Sequence, residues 1–112
     1  MKPVIKVWCL PHEQSENDFV RLHRAIVGAV VSSKVNGVNG QDDMVVLMPT
    51  DLMKKGLGEE IIVEFDPANH SHAKECLKAL GAILDAIKRL YPKAYVQGKL
   101  LRPDADCYRS RE

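Results

Sequence analysis

Apolar residues repeat along the chain with two different periods, which predict strands alternating with helices. Four short segments rich in β-branched and aromatic residues are typical of strands and cover 3–10, 44–48, 59–66 and 93–101. Pro3 stands at the beginning of the first segment, where its missing N–H does least damage to a sheet. The second segment, MVVLM, is apolar without alternation, so we expect an internal strand covered on both faces.

Two longer segments repeat their apolar residues at steps of three and four, the period of an amphipathic helix. The first predicts a helix over 16–33, begun by a capping box of Ser15 with Asp18. The second predicts a helix over 71–90 that Pro92 ends. The apolar stripes consist of Phe19, Leu22, Ile26, Val27, Val30 and Val31 in the first, and of Ala73, Leu77, Leu80, Ile83, Leu84, Ile87 and Leu90 in the second.

The predicted order is β-α-β-β-α-β, and its two halves repeat. VIKVWCLP resembles IIVEFDP, and VGAVV in the first helix resembles LGAIL in the second. Right-handed crossovers place both helices on one face, so we expect an α+β fold of duplicated β-α-β units with a four-stranded mixed sheet. Residues 1–101 form this single domain, and residues 102–112 are a polar tail that we expect to contribute to a subunit interface.

The sheet face opposite the helices is also rich in apolar residues. If Ile5, Val7, Val63 and Phe65 lie under the helices, alternation places Val4, Trp8, Leu10, Ile62, Tyr95 and Leu101 on the other face. Such a face is too apolar to leave in water, and two helices on the opposite side cannot cover it. We therefore expect a homo-oligomer.

Composition excludes several classes of partner. The 112 residues contain 16 Lys and Arg against 15 Asp and Glu, and a net charge of +1 gives no field that favours nucleic acid or a membrane surface. The first residues hold no apolar stretch long enough for a signal peptide, which predicts a cytoplasmic protein. Cys9, Cys76 and Cys107 lack a CxxC spacing and are interpreted as reduced thiols.

No motif predicts a metal or another cofactor. His70 and His72 form a pair, but His12 should lie at the other end of the sheet, and His23 lies within a helix, so we expect no metal site. Gly-rich nucleotide loops are absent from the sequence. The same element order occurs in ferredoxin-like domains, and a chain with that fold is expected to form a dimer paired through sheet edges. Strand 59–66 lacks the aromatic signature of the RNA-binding members of that fold.

The element order, together with three segments, resembles the tautomerase superfamily, which includes macrophage migration inhibitory factor and the 4-oxalocrotonate tautomerases. The segments are the strand led by Pro3, LMPTDLMKKGLG after the second strand, and YPKAYVQGKLL at the fourth. LMPTDLMKKGLG is similar to the Met-Pro and Gly-x-Gly segment of small tautomerases, and YPKAYVQGKLL is similar to the Pro-x-x-Tyr-x-Asn strand of the inhibitory factor. The resemblance covers nearly the whole chain.

This resemblance implies a homotrimer that isomerises a small enolisable carboxylate without a cofactor. In the family, an N-terminal proline acts as the base between subunits, since a partly desolvated secondary amine can have its pKa lowered toward neutrality. A cationic side chain holds the substrate carboxylate and stabilises the enolate oxygen. At the matching positions this sequence has Pro3 as base and Lys34, Tyr95 and Gln97 as substrate-binding residues.

The sequence departs from the family at the base itself. Lys2 precedes Pro3, so the proline nitrogen is a tertiary amide without a basic lone pair, and Lys2 is too large to favour removal of Met1. Pro3 can act only if it is exposed as the first residue; otherwise Lys2, Lys6 or the Met1 amine would have to replace it. The alternative is a binding or structural protein that keeps the fold without the chemistry, with Pro3 merely beginning a strand and Lys34 a solvated residue at a helix end.

Overall fold

In the described part of the chain, five strands and two helices follow one another in the order β-α-β-β-α-β-β. The computed structural model describes residues 2–11, 14–35, 37–48, 60–67, 73–101 and 107–111. The elements are β1 (Val4–Trp8), α1 (Glu16–Ser32), a short 3-10 turn (Gln41–Asp43), β2 (Val45–Leu47), β3 (Glu60–Asp66), α2 (Ala73–Leu90), β4 (Tyr95–Leu100) and β5 (Cys107–Arg111).

The strands form one mixed sheet in the order β2-β1-β3-β4-β5. β1 is parallel to β2 and β3 is parallel to β4, while β1 and β3 pair antiparallel at the centre. Each half is therefore a β-α-β unit, and the two units meet along β1 and β3. This arrangement confirms the predicted duplication and the α+β class.

The strands of each β-α-β unit are direct neighbours, which separates this fold from the ferredoxin-like alternative. In a split β-α-β unit another strand lies between the two parallel strands. Here β1 hydrogen-bonds to β2 and β3 to β4 with no strand between them. The ferredoxin-like interpretation is thus excluded by the pairing.

One hydrophobic core lies between the helices and one face of the sheet. Strand residues alternate between buried and half-exposed, as a sheet covered on one face requires. The largest fully buried side chains include Phe65 from β3, Leu22 and Ile26 from α1, and Leu80 and Leu84 from α2. The helices also pack against each other, and α2 packs on β4.

Helix α1 begins at the capping box that the sequence predicts. The hydroxyl of Ser15 accepts a hydrogen bond from the Asp18 amide at 3.1 Å, and the Asp18 carboxylate accepts one from the Ser15 amide at 2.9 Å. These bonds pair amides that have no partner inside the helix. The hydrogen bond from the Ser15 amide, followed by that of its side chain, lowers the pKa of Asp18.

The prediction that β2 is internal is wrong. Among the described strands β2 lies at the edge of the sheet, and Val45 and Leu47 are 37% and 43% exposed on the face away from the helices. Val46 points the other way, toward the helix side, and is half-buried. The run of apolar residues in β2 therefore arises because both faces of this edge strand carry apolar side chains. It does not arise because this chain covers both faces.

Two further positions differ from the pattern. Leu10 was predicted on the sheet face away from the helices, called the open face below, but it is buried in the core. The reason is that Cys9 adopts a left-handed backbone angle (φ 67°), which ends the strand alternation before Leu10. The segment assigned to a polar tail contains β5, which pairs antiparallel with β4 from Val96↔Arg111 to Leu100↔Cys107. Hydrophobic periodicity did not predict this strand, because its sequence CYRSR is mostly polar.

Several predicted features lie outside the described residues. They are the segment PTDLMKKGLG of the family resemblance, His12, and the pair His70 and His72. Within the described ranges, no three His, Cys, Asp or Glu residues are grouped so that they could hold a metal ion. No helix in the described part of the chain is long and apolar enough to cross a membrane.

Candidate functional site

Pro3 lies directly before β1 and is held against β2. Its carbonyl accepts a hydrogen bond from the Val45 amide at 2.9 Å, and the residue is buried while Lys2 is exposed. The fixed φ of proline is compatible with this extended position. Because proline has no N–H to donate to a ladder, a place directly before the strand suits it. With Lys2 attached, the Pro3 nitrogen is an amide and can neither accept nor give up a proton.

Lys34 lies at the same end of the sheet as Pro3. β1 and β2 are parallel, so α1 must return to the end at which both strands begin, and Lys34 follows the end of α1. Its backbone is left-handed (φ 57°) and its amide donates to the Val31 carbonyl at 3.1 Å, which closes the helix. Its side chain is exposed. Lys34 thus both ends α1 and places a cation at the Pro3 end.

Tyr95 and Gln97 lie on the open face of β4, near its beginning. Tyr95 pairs in register with Glu60 and Gln97 with Ile62, which in turn pairs with Trp8. The Gln97 side-chain amide donates a hydrogen bond to the Glu60 carboxylate. Tyr95 and Gln97 are therefore on one face two residues apart, as the alternation of β4 predicts.

One chain does not bring the four family positions together. β3 runs from Glu60, beside Tyr95, to Asp66, beside Val4. Pro3 and Tyr95 are thus at opposite ends of a seven-residue strand, roughly 20 Å apart at about 3.3 Å per residue. Pro3 and Lys34 share one end, whereas Tyr95 and Gln97 belong to the other end and the middle of the open face. A site that contains all four requires residues from two copies.

A charged row crosses the centre of the open face. Lys6 pairs with Glu64 across β1 and β3, and Glu64 pairs with Lys99 across β3 and β4. Sequence reasoning missed Glu60, Glu64 and Lys99, although even spacing from Ile62 in β3 and from Tyr95 in β4 would have located all three. The row makes the face less apolar than predicted and places two cations around one carboxylate.

Trp8 lies beside this row and has an unusual environment. Its indole Nε1 is buried and forms no hydrogen bond among the described residues. A buried donor without an acceptor costs about 1–3 kcal/mol. The neighbours of Trp8 in its row are Ile62 and, beyond it, Gln97, whose amide is already bonded to Glu60.

The buried Cys76 thiol and the half-buried Tyr91 hydroxyl both have raised pKa values. Desolvation, with a contribution from the charge of Glu75, raises the pKa of the buried Cys76 thiol, so the nucleophilic thiolate is disfavoured. Desolvation also raises the pKa of Tyr91, whose hydroxyl donates to the Gln14 side chain at 2.5 Å. Both groups are held in their neutral form inside the fold.

The sequence matches no protein-family model and no curated protein, but its structure matches solved ones. A fused 4-OT described as an asymmetric trimer is 12% identical, with a TM-score of 0.59, and the match covers 88% of this chain and 85% of the other. Malonate semialdehyde decarboxylase, solved also as an inactivated form and with its first residue changed from proline to alanine, is 17% identical with a TM-score of 0.56. That match covers 88% of this chain and 82% of the other. The chain has the fold of the tautomerase superfamily.

Proposed function

We propose that the protein is a cytoplasmic, cofactor-independent keto–enol tautomerase of a small enolisable carboxylate. The observation that carries this proposal is the placement of Pro3 at the head of β1, with the Lys34 cation at the same end of a tautomerase fold. In this proposal Pro3 is the first residue of the active chain. Its secondary amine then removes a proton from carbon and delivers it to the enolate oxygen to form the enol, and ketonisation is the same transfer in reverse.

The reaction needs a group for the charge that develops on the substrate. Lys34, whose side chain is exposed in the single chain, holds the substrate carboxylate and stabilises the enolate oxygen. Tyr95 and Gln97 from a neighbouring copy add hydrogen bonds to the same substrate. Supplying those bonds requires Gln97 to share or leave its bond to Glu60.

A homotrimer is part of the proposal. Support comes from the separation of Pro3 and Tyr95 in one chain, which a neighbouring copy would bridge, and from the trimer described for the fused 4-OT. The exposed Val45 and Leu47 on the open face also favour coverage by another copy. Residues 102–112 are expected to take part in the same interface.

The experiment combines mass with activity on one sample. Intact mass gives the first residue, native mass gives the number of copies, and ketonisation of phenylenolpyruvate gives activity. We expect a trimer that begins at Pro3, with activity lost in Pro3→Ala and kept in Pro92→Ala, a matched variant in an exposed turn. A trimer that retains Lys2 and is inactive would overturn catalysis by Pro3.

A second candidate rests on the Lys2–Pro3 peptide bond. With that bond intact and Pro3 buried, the chain is a tautomerase-fold protein that binds a carboxylate or assembles without turning it over. If a chain that retains Lys2 is active and its Lys2→Ala variant is inactive, the base is Lys2 instead. Carboxylate binding without turnover, weakened in Lys34→Ala, would favour the non-catalytic candidate.

A further inference from the structure

A groove runs between α1 and the edge strand β2, on the helix side of the sheet. Its volume is about 670 Å³, which lies within the range of small-molecule sites. Four apolar residues form its wall, two from α1 and two from β2 or the residue after it. They are Phe19, Val20, Val46 and Met48.

The apolar wall is exposed because α1 carries a wider apolar surface than the sheet can cover. Leu22, Ile26 and Val30 of the helix are fully buried. Phe19 and Val20, by contrast, remain 36% and 42% exposed, although Phe19 belongs to the predicted core stripe. β2 is only three residues long and lies at the sheet edge, so nothing described lies beyond it. Large exposed hydrophobics beside one another indicate a binding surface.

Three polar side chains border the same groove. His23 and Arg24 follow the apolar pair on α1, and Gln41 begins the 3-10 turn before β2. None of the three forms a hydrogen bond or ion pair in the described part of the chain. Arg24 is exposed and so is Gln41, while His23 is half-buried. The groove thus combines an apolar wall with a cation that has no partner among the described residues and two further groups that can donate hydrogen bonds.

We propose that this groove binds a small amphipathic carboxylate with an aromatic or branched aliphatic body. The apolar body packs against Phe19, Val20 and Met48, and the carboxylate lies at Arg24, whose planar guanidinium can donate two parallel hydrogen bonds. Gln41 and His23 orient the same carboxylate from the two sides of the groove. Charge complementarity selects an anion, because none of the described residues that line the groove is acidic.

The site is separate from the proposed tautomerase site. Pro3, Lys34, Tyr95 and Gln97 do not line the groove, and the open face that carries Tyr95 is on the other side of the sheet. Binding here therefore does not require a free Pro3 nitrogen or a second copy. The proposal can fail while the tautomerase proposal holds, and the reverse is also true.

The test is an NMR titration of isotopically labelled protein with 3-phenylpropionate, followed at the methyl groups of Val20, Val46 and Met48. We expect shift changes at these methyls and at the amides of α1 around Arg24. The uncharged 3-phenylpropanamide has the same apolar body, and we expect it to bind about 10-fold more weakly, as the loss of a charge-assisted hydrogen bond predicts.

Variants separate the charge from the apolar wall. Arg24→Gln should weaken 3-phenylpropionate about 10-fold, whereas Arg89→Gln, an exposed arginine of α2 outside the groove, should leave affinity unchanged. Val20→Glu places a carboxylate in the wall and should abolish binding while the spectrum stays folded. Equal affinity of acid and amide, no effect of Arg24→Gln, or shifts confined to the Pro3 end would each overturn the proposal. A change of native mass in Val20→Glu would instead assign this groove to contact with another copy.

Discussion

Arg111 of β5 donates a hydrogen bond from Nε to the Asp85 carboxylate of α2 at 2.7 Å. The guanidinium also lies 3.3 Å from the position that a Cβ on Gly81 would occupy, so a larger residue there would press on it. β5 is thus attached through its ladder with β4 and, at Arg111, through this ion pair with the helix. The pair fixes the last strand against the helix layer.

Replacing Asp85 with Asn should loosen β5 with little effect on the whole fold. Both side chains are partly exposed, Arg111 at 37% and Asp85 at 56%, and such pairs contribute about 0–1 kcal/mol. We expect the free energy of unfolding in urea to fall by less than about 1 kcal/mol, with faster amide exchange confined to 107–111. Asp42→Asn, a change at another exposed carboxylate, should alter neither measurement. Exchange that rises equally in β1 would contradict the local effect.

Two glycines should respond in opposite directions to alanine. A Cβ at Gly98 in β4 would come within 2.9 Å of a Leu80 methyl and 3.0 Å of a Leu84 methyl, both in the buried face of α2. Gly98→Ala should therefore destabilise the fold by about 1–3 kcal/mol through overpacking. A Cβ at Gly28, in the middle of α1, meets nothing within 4 Å.

Gly28→Ala serves as the matched variant and should stabilise the fold by about 0.5–1 kcal/mol, because glycine is unfavourable in an exposed helix interior. Thermal or urea unfolding measures both changes. If Gly98→Ala leaves the free energy of unfolding unchanged or raises it, α2 can move away from β4 and the predicted overpacking is wrong.

Tyr91 should make stability fall at alkaline pH. Desolvation raises its pKa in the folded chain, with the charge of Asp18 adding to the effect and that of Arg21 opposing it. The unfolded value is about 10. A raised folded pKa means that the folded chain holds the proton more tightly, so the contribution is complete below about pH 10 and is lost as the pH rises through the folded pKa.

The check is the pH dependence of urea unfolding together with an ultraviolet titration of the phenolates. Tyr91→Phe should remove the alkaline loss of stability and, with it, one phenolate that titrates above the ordinary range. It also leaves the Gln14 carbonyl without its hydroxyl donor, so we expect about 1 kcal/mol of destabilisation at neutral pH. An unchanged slope above about pH 10 in Tyr91→Phe would contradict the assignment.

The fold could be predicted from local patterns because the period of each segment matches its final structure. The capping box at Ser15, the proline at position 92 and the apolar steps in both helices are local signals, and all of them correspond to observed element boundaries. β5 could not be predicted in this way, since its sequence CYRSR has no apolar face and its partner, β4, is supplied by the sheet. The prediction for Leu10 was wrong because the alternation pattern does not indicate that Cys9 has a left-handed backbone.

The candidate site could be predicted less completely than the fold. Matching positions identified Pro3, Lys34, Tyr95 and Gln97 and placed the last two on one strand, but they gave neither the end of the sheet at which Lys34 lies nor the distance between Pro3 and Tyr95. That distance follows from the direction of β3, which only the pairing with β1 and β4 reveals. Arg24 gave no signal at all, because its role in the groove depends on the edge position of β2.

Leu47 should distinguish a monomer from an assembly built on the open face. It is 43% exposed in the single chain, so Leu47→Lys should change the stability of one copy by no more than about 0.5 kcal/mol. If another copy covers this face, the same change buries an unpaired charge and should dissociate the oligomer. Native mass measured against protein concentration reports the difference. Val20→Lys is the matched control, since Val20 is 42% exposed on the helix side and should leave the mass unchanged. An oligomer that survives Leu47→Lys but dissociates in Val20→Lys would move the interface from the open face to α1.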